Sequence, residues 1–288
     1  MSPVPAASSF VLMLRTALVA VLMGALLSGC GIRIVKYEFS DDQTVAEKFT
    51  SVRVRTGFER VSIRYVPGLS ETKIHRTVQH AKNNKPSGVS HRVEGGSLVL
   101  DDCGDHCSVE YQVQVPSADI AVVGEDVGSG DATIEGVASV DYHNGSGRIV
   151  VRDIAGDVRV DSGSGDFDAT GVRGSVTAVL GSGRIRLDQI KGKALVHTGS
   201  GDITGTRLDN DVTAEGGSGD VALTFTSPRS VRVDTSSGDV TVRVPGGPYK
   251  VDVTSGSGDR TVAVPTDPAA PTAVHVSTGS GQIKVLGG

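Results

Sequence analysis

The chain has 288 residues, of which 38% are hydrophobic and 21% are charged, a composition typical of a folded polypeptide with one large domain or two ordinary ones. Glycine contributes 38 residues and proline only 11, which excludes a collagen-like chain and indicates a recurring turn. With 33 acidic and 28 basic residues the formal net charge is -5, so we expect no nucleic-acid partner.

The N-terminus has the features of an export signal. Residues 16–27 are uncharged and rich in Ala, Leu and Val, with the length of a signal-peptide core but too short to span a bilayer. They end in Leu27-Ser28-Gly29-Cys30, which resembles the bacterial lipobox, where the cysteine is acylated and becomes the mature N-terminus. We predict a lipoprotein signal peptide over residues 1–29, lipidation of Cys30, membrane attachment through this lipid, and a tether over residues 30–44. The alternative is an ordinary secretory signal with a buried Cys30.

Export also bears on the other two cysteines. Cys103 and Cys107 would lie in an oxidising compartment and form an even pair once Cys30 carries lipid. We predict a disulfide that holds a local hairpin and contributes roughly 2 kcal/mol. Zinc bound by both thiols and His106, or two free thiols, are the alternatives.

The strongest signal is an internal repeat. The motif Gly-Ser-Gly-Asp, or a close variant, occurs nine times at intervals of 17 to 23 residues. Its first position varies once, as Ser236, whereas its third is glycine in every copy. We predict that this glycine forms a backbone corner with positive φ or with another segment packed too close for a Cβ. The corner glycines are Gly130, Gly147, Gly165, Gly183, Gly201, Gly219, Gly238, Gly258 and Gly281.

Between the corners, hydrophobic residues alternate with polar ones, as expected for strands. A second, weaker turn such as Ile154-Ala155-Gly156 divides each unit of about 18 residues into two strands. Stacking each strand on its equivalent in the next unit would bury two apolar columns. The predicted fold is all-β: a single-stranded β-helix, or β-solenoid, with two short strands per coil. The predicted columns are Ile149, Phe167, Ile185, Ile203, Val221 and Val240 on one strand, and Val158, Val176, Ala194, Val212, Val231, Val251 and Val274 on the other.

The regular Gly-Ser-Gly-Asp solenoid is predicted over residues 126–288. Residues 45–125 have the same β character with longer loops, and we assign them to irregular N-terminal coils that cap the solenoid. A separate small β-domain is the alternative. Within this part, the polar run in residues 75–88 is predicted to be a loop. Arg260 departs from the repeat because it occupies an otherwise apolar column.

These features together resemble a known family. The repeated Gly-Ser-Gly-Asp followed by alternating Val or Ile, the export signal, and the strand Val113-Gln114-Val115-Pro116 are similar to the bacterial putative-adhesin family of β-strand-repeat proteins. The resemblance extends from about residue 50 to the C-terminus. It implies a surface-exposed β-helical fold, and it brings no catalytic residues.

The residue after each Gly-Ser-Gly forms an edge column whose first five members alternate between Asp and Arg. We interpret this column as a ladder of ion pairs and hydrogen bonds, each exposed pair contributing about 0 to 1 kcal/mol. Only one stretch lacks an interposed arginine, so it alone keeps a cation site such as calcium as an alternative. It comprises Asp202, Asp220, Asp239 and Asp259.

No catalytic constellation is recognisable in the sequence. A β-helical polysaccharide-active enzyme would need paired carboxylates and aromatic platforms, but only four aromatic residues follow residue 126. The outward carboxylates Asp161, Glu215, Asp234 and Asp252 fit ordinary surface variation. We therefore expect no enzyme activity, metal or cofactor. The predicted function is adhesin-like binding or scaffolding at the cell surface, with a cell-wall polymer or surface protein as partner. An accessory role in cell-envelope homeostasis is the alternative.

Overall fold

The computed structural model describes residues 36–55 and 58–288, so the predicted signal peptide and Cys30 lie outside the described residues. Tyr37–Gly288 forms one compact unit. Its 25 described strands form a 13-stranded sheet, here sheet A, and a 12-stranded sheet, here sheet B. The predicted all-β solenoid with two strands per coil is thereby confirmed.

The strands fall into three groups along the chain. The first group is β1 (Lys36–Val45), β2 (Ser51–Val54), β3 (Phe58–Tyr65), β4 (Thr72–Ala81), β5 (His91–Glu94), β6 (Ser97–Leu100) and β7 (Cys107–Val115). The regular coils contain β8 (Ala121–Ser129), β9 (Asp131–Glu135), β10 (Ser139–Ser146), β11 (Ile149–Arg152), β12 (Val158–Ser164), β13 (Phe167–Val172), β14 (Val176–Ser182), β15 (Ile185–Ile190), β16 (Ala194–Ser200), β17 (Ile203–Leu208), β18 (Val212–Ser218), β19 (Val221–Phe225), β20 (Val231–Ser237) and β21 (Val240–Val244). The last group is β22 (Lys250–Ser255), β23 (Arg260–Ala263), β24 (Ala273–Ser280) and β25 (Ile283–Gly287).

In the regular coils, each even-numbered strand lies in sheet B and each odd-numbered strand in sheet A. Neighbouring coils pair in parallel at the spacing of the repeat, so that Val158 lies opposite Val176 and Phe167 opposite Ile185. Because both sheets turn one face inward, alternate residues of every strand enter a shared core. Every residue of the two predicted columns is buried except Val251, which is half-buried on the end strand β22.

One inward column carries polar side chains in several coils, with Leu180 as an apolar member, and the sequence analysis missed it. Its polar side chains lie just before the Gly-Ser-Gly corner and satisfy backbone carbonyls inside the turn. Thr198, for example, is fully buried and donates to the carbonyl oxygens of Gly183 at 3.0 Å and Ser200 at 3.1 Å. These bonds let hydroxyl groups enter the core without loss of hydrogen bonding. The corresponding residues in other coils include Asn144, Ser162, Thr235 and Thr278.

At the N-terminal end, the order of the strands in the two sheets differs from their order in the chain. Strands β2 and β3 lie between the β8/β9 coil and the β6/β7 coil, and β4 and β5 add antiparallel strands beyond them. Residues 36–44 of the predicted tether belong to β1, the edge strand of sheet A next to β4.

The predicted loop over residues 75–88 is wrong for residues 75–81, which belong to β4. Their inward positions include Arg76 and His80, both buried. Charged and polar residues at two inward positions hid the alternation that identifies a strand. Arg76 can occupy such a position because Asp41 of β1 pairs with its guanidinium.

The C-terminal end is also out of sequence. Strands β24 and β25 lie between the β20/β21 coil and the β22/β23 coil, so the last residues insert beneath a coil that precedes them in the chain. Strands β22 and β23 therefore form the end of both sheets. Arg260 of β23 lies opposite Ile283 and is exposed, because no described strand stacks beyond it.

Arg260 is expected to prevent further stacking at this end. An exposed sheet edge is a template for another strand, and a charged residue at an inward position makes such pairing costly. We expect Arg260→Val to increase concentration-dependent self-association, measured by sedimentation velocity. The matched variant Arg243→Val removes an exposed charge from β21, which has neighbours on both sides, and should leave association unchanged. Equal behaviour of the two variants would contradict this role.

Candidate functional site

The Gly-Ser-Gly corners are built on glycine conformation. All nine corner glycines have φ between 113° and 142°, a region that other residues rarely adopt. At Gly201 a Cβ would also collide with the carbonyl oxygen of Gly183 in the neighbouring coil. Both requirements that we predicted for the third motif position therefore apply at Gly201, and they place the following residue on the solenoid edge.

The aspartates of this edge bond to backbone amides of the next coil. The Asp220 N–H donates to the Asp202 carboxylate at 3.0 Å, and the Asp239 N–H donates to Asp220 at 2.8 Å. Asp239 in turn accepts the Gln282 N–H at 2.8 Å. Asp259 does not follow Asp239, because the inserted β24/β25 coil places Gln282 between them. The uninterrupted run of aspartates is thus three residues long, and each of the three carboxylates accepts a backbone N–H.

Arginine side chains add ion pairs where they occur in the ladder. Arg184 donates to Asp166 from its backbone N–H at 3.0 Å and from its guanidinium at 2.7 Å. These side-chain and backbone hydrogen bonds lower the pKa of Asp166. Arg148 instead directs its guanidinium to Asp168, with Nε 2.7 Å from Oδ2, while its N–H bonds to Asp131. The edge column therefore has the geometry of a structural ladder.

We expect calcium to change the stability of this edge little. Because backbone N–H groups already occupy the carboxylates of Asp202, Asp220 and Asp239, thermal unfolding in EDTA and in Ca²⁺ at matched ionic strength should differ only slightly. A calcium site would instead add about 2.7 kcal/mol when the free ion reaches a hundred times its Kd. A large calcium-dependent rise in Tm, removed by Asp220→Asn combined with Asp239→Asn, would contradict the ladder.

Cys103 and Cys107 were predicted to form a disulfide, with a zinc site as one alternative. Cys103 and Cys107 form a disulfide with a Cα–Cα distance of 5.7 Å. The segment is not a hairpin as we predicted, because β6 before it lies in sheet B and β7 after it lies in sheet A. The disulfide therefore closes the turn where the chain passes between sheets. Across residues 36–55 and 58–288, no three His, Cys, Asp or Glu side chains are grouped as metal ligands.

A cluster of perturbed titratable groups lies in the N-terminal cap. Arg76 is 3% exposed and donates to Asp41 at 2.6 and 2.9 Å, to Ser90 Oγ at 2.9 Å and to the Gly88 carbonyl at 2.9 Å. Hydrogen bonding to Arg76 lowers the pKa of Asp41, and burial raises the pKa of Tyr111 to about 12. The Tyr111 hydroxyl donates to the Ser90 and Asp101 carbonyls, at 2.6 and 3.0 Å. This network fastens β1 and the 82–90 segment to the cap.

The outer face of sheet B carries a depression of about 510 Å³ that the sequence analysis did not anticipate. It crosses the five adjacent strands β14, β16, β18, β20 and β24. The four intervals between these strands are about 4.8 Å each, so the depression runs along the solenoid axis for about 19 Å. We call it the axial groove. One wall consists of Ser175, Lys193, Asp211, Ser230 and Ala273, and the other of Thr177, Leu195, Thr213, Arg232 and His275.

The walls of the axial groove combine hydroxyl, charged and apolar groups. Leu195 is 51% exposed and lies between Thr177 and Thr213 on the two neighbouring strands. Lys193 Nζ lies 3.6 Å from Asp211 Oδ2, an ion pair within one wall. Mixed apolar and hydrogen-bonding groups along a concave strip are typical of a binding surface.

The outward carboxylates that we considered for an enzyme lie beside this groove, and three of them lie close to an arginine or histidine nitrogen. Asp234 accepts from Arg232 Nε at 2.7 Å, Asp252 lies 3.0 Å from His275 Nδ1, and Glu215 lies 3.6 Å from His197 Nδ1. Asp161 lies opposite Val179 on the same face. The structure does not bring the four together around a cleft; they form a charged surface next to the groove.

The fold and this surface define a β-solenoid protein with an axial groove on the outer face of sheet B. The family described as Toastrack DUF4097 matches residues 45–286, and the chain belongs to this family. No curated protein matches it. In the described part of the chain, no helix is long and apolar enough to cross a membrane.

Several solved structures are similar to this chain at low identity. A "putative adhesin" from Bacteroides fragilis is 13% identical with a TM-score of 0.47, over 89% of this chain and 100% of the other. A "putative adhesin" from Parabacteroides distasonis is 18% identical with a TM-score of 0.40, over 87% and 97% of the two chains. A "putative cell adhesion protein" from Clostridium sporogenes is 12% identical with a TM-score of 0.22, over 88% and 100%.

Proposed function

We propose that this protein is a lipid-anchored, extracytoplasmic binding protein that presents its solenoid faces to an extended component of the cell envelope. The observation that carries the proposal is the axial groove, a concave strip that crosses five coils and includes the exposed Leu195. Regular stacking continues such a surface from coil to coil, which suits a long partner.

The arrangement of charged groups supports a noncatalytic role. The edge aspartates bond to backbone amides, and Glu215, Asp234 and Asp252 each lie beside an arginine or histidine side chain on the surface. A general acid or base needs a pKa adjusted to its task and a position beside a bound substrate. In this proposal these carboxylates keep the surface polar, while binding uses the groove.

The binding role is tested with the full chain, purified in detergent and mixed with isolated cell-envelope material. We expect stable, saturable retention with no release of soluble fragments from the envelope. Turnover of envelope polymer would favour an enzyme instead. Failure of the wild-type chain to be retained would overturn the proposed function.

Membrane attachment depends on Cys30 in the motif Leu27-Ser28-Gly29-Cys30. We expect Cys30→Ser to abolish acyl labelling and to release the protein from the membrane fraction, because the acyl chains supply about 0.8 kcal/mol of binding per buried methylene. Cys103→Ser is the matched control and should leave labelling intact. Membrane retention of an unlabelled wild-type protein would contradict lipid anchoring.

A further inference from the structure

We infer that the axial groove binds a linear, β-linked glycan aligned with the solenoid axis, an assignment that rests on the proposed envelope-binding function. A protein can bind an extended polymer as a strand at a sheet edge or as a ligand on a sheet face. The position of the groove and the state of its backbone groups discriminate between these two modes.

The groove lies on a sheet face whose backbone groups are already paired. The Val176 N–H donates to the Lys193 carbonyl at 2.8 Å, and the Ala194 N–H donates to the Asp211 carbonyl at 3.1 Å. A bound peptide strand needs a row of free backbone donors and acceptors, which an edge supplies and a face does not. The groove therefore disfavours an extended peptide.

Side chains provide the hydrogen-bonding capacity of the groove instead. The hydroxyls of Thr177 and Thr213 make no hydrogen bond to any of the described residues, so both can donate and accept. Ser230 Oγ accepts the Ala273 N–H at 3.1 Å and keeps its own proton for a ligand. Scattered hydroxyl donors and acceptors match the hydroxyl groups of a sugar.

Leu195 provides the apolar part of the site. It is the most exposed large hydrophobic side chain of the regular coils, and the two threonine hydroxyls flank it on adjacent strands. A pyranose ring has an apolar C–H face bordered by hydroxyls, which is the same pattern. Because coils repeat about every 4.8 Å, successive rings of an extended β-linked chain would meet successive coils.

Charged side chains on the walls would orient the chain and add hydrogen bonds. Lys193 and Arg232 are largely exposed and lie on opposite walls. Each already has a carboxylate partner, Asp211 or Asp234, so the groove carries little net charge. This balance favours a neutral glycan over a strongly anionic polymer.

The test uses the full chain in detergent, titrated calorimetrically with β-1,4-linked N-acetylglucosamine and glucose oligomers from disaccharide to hexasaccharide. We expect Kd to fall with length until the oligomer spans the groove and then to level. Leu195→Asp should raise Kd by about tenfold or more. The matched control is Ala222→Asp on sheet A, where Ala222 likewise lies between two threonines, Thr204 and Thr241, and Kd should not change.

Other outcomes overturn the inference. Binding that is independent of oligomer length, or equally weakened by Leu195→Asp and Ala222→Asp, would exclude the groove as the glycan site. If neither oligomer series binds while the wild-type chain is retained by envelope material, the envelope function stands and the neutral β-1,4-glycan assignment fails. Competition by an extended Gly-Ser-Thr peptide for groove-dependent envelope binding would assign the groove to a peptide.

Discussion

Replacement of Gly201 by valine is expected to lower the free energy of unfolding by about 3 kcal/mol or more. Gly201 has φ of 131°, a conformation that strains a β-branched residue, and its Cβ would collide with the Gly183 carbonyl oxygen. That carbonyl belongs to the corner of the neighbouring coil, so it cannot move without disturbing two coils. The measurement is urea or thermal unfolding followed by far-ultraviolet circular dichroism.

The control for this variant is Gly199→Ser in the same corner. Gly199 does not have a left-handed φ, and the repeat itself places Ser236 at this motif position in another coil. A Cβ there would lie 2.6 Å from the Gly181 carbonyl oxygen, so the backbone must shift, as it does where Ser236 carries a Cβ. Because the strain of a positive φ is absent at Gly199, the loss of stability should be smaller than for Gly201→Val. Equal Tm values for the two variants would show that the third motif position is not a conformational corner.

Replacement of Arg76 by alanine is expected to destabilise the N-terminal cap by about 3 kcal/mol, the low end of the range for breaking a buried ion pair, because Asp41 retains some exposure to water. The variant leaves Asp41 and the Gly88 carbonyl without their guanidinium donor. We expect faster hydrogen exchange in β1 and β4 together with a lower Tm.

Lowering the pH should cause part of the same loss of stability in the wild-type protein. Arg76 lowers the pKa of Asp41 in the folded state, so the pair stabilises the fold above the unfolded pKa of about 4 and loses this contribution as pH falls through the lower folded value. In the Arg76→Ala variant, the free energy of unfolding should lack this pH-dependent contribution. Arg60→Ala is the control, because its pair with Glu110 is exposed and contributes about 0 to 1 kcal/mol. Equal losses in Arg60→Ala and Arg76→Ala would contradict a cap held by the buried network.

The register of the regular coils followed from the repeat alone. Parallel strands stacked in one sheet place equivalent positions opposite one another, so the spacing that relates Phe167 to Ile185 also pairs them in space. The corner glycines were recognisable for a similar reason, since a backbone conformation with positive φ restricts the residue type directly.

The order of the coils at the two ends of the solenoid could not be predicted from the repeat. The interval between corners widens toward the C-terminus, but spacing does not show that β24 and β25 insert before β22 and β23. Strand β4 of the cap was not recognised in the sequence, because Arg76 occupies one of its inward positions. The burial of Arg76 depends on Asp41, 35 residues away in the chain. Burial of a charge is decided by its partner, and a local pattern does not contain that partner.

The sequence by itself determined the all-β class, the coil length, the two strands per coil, the corner glycines and the apolar columns, because each depends on local conformation or on a repeat that stacking preserves. Tertiary structure alone decided the order of the end coils, the amide partners of the edge aspartates and the axial groove. These features join residues far apart in the chain: Leu195 and His275 share a groove only because β24 inserts beside β20. Contacts across such distances depend on which strand edges meet when the chain folds, and that choice is made by the whole assembly of coils.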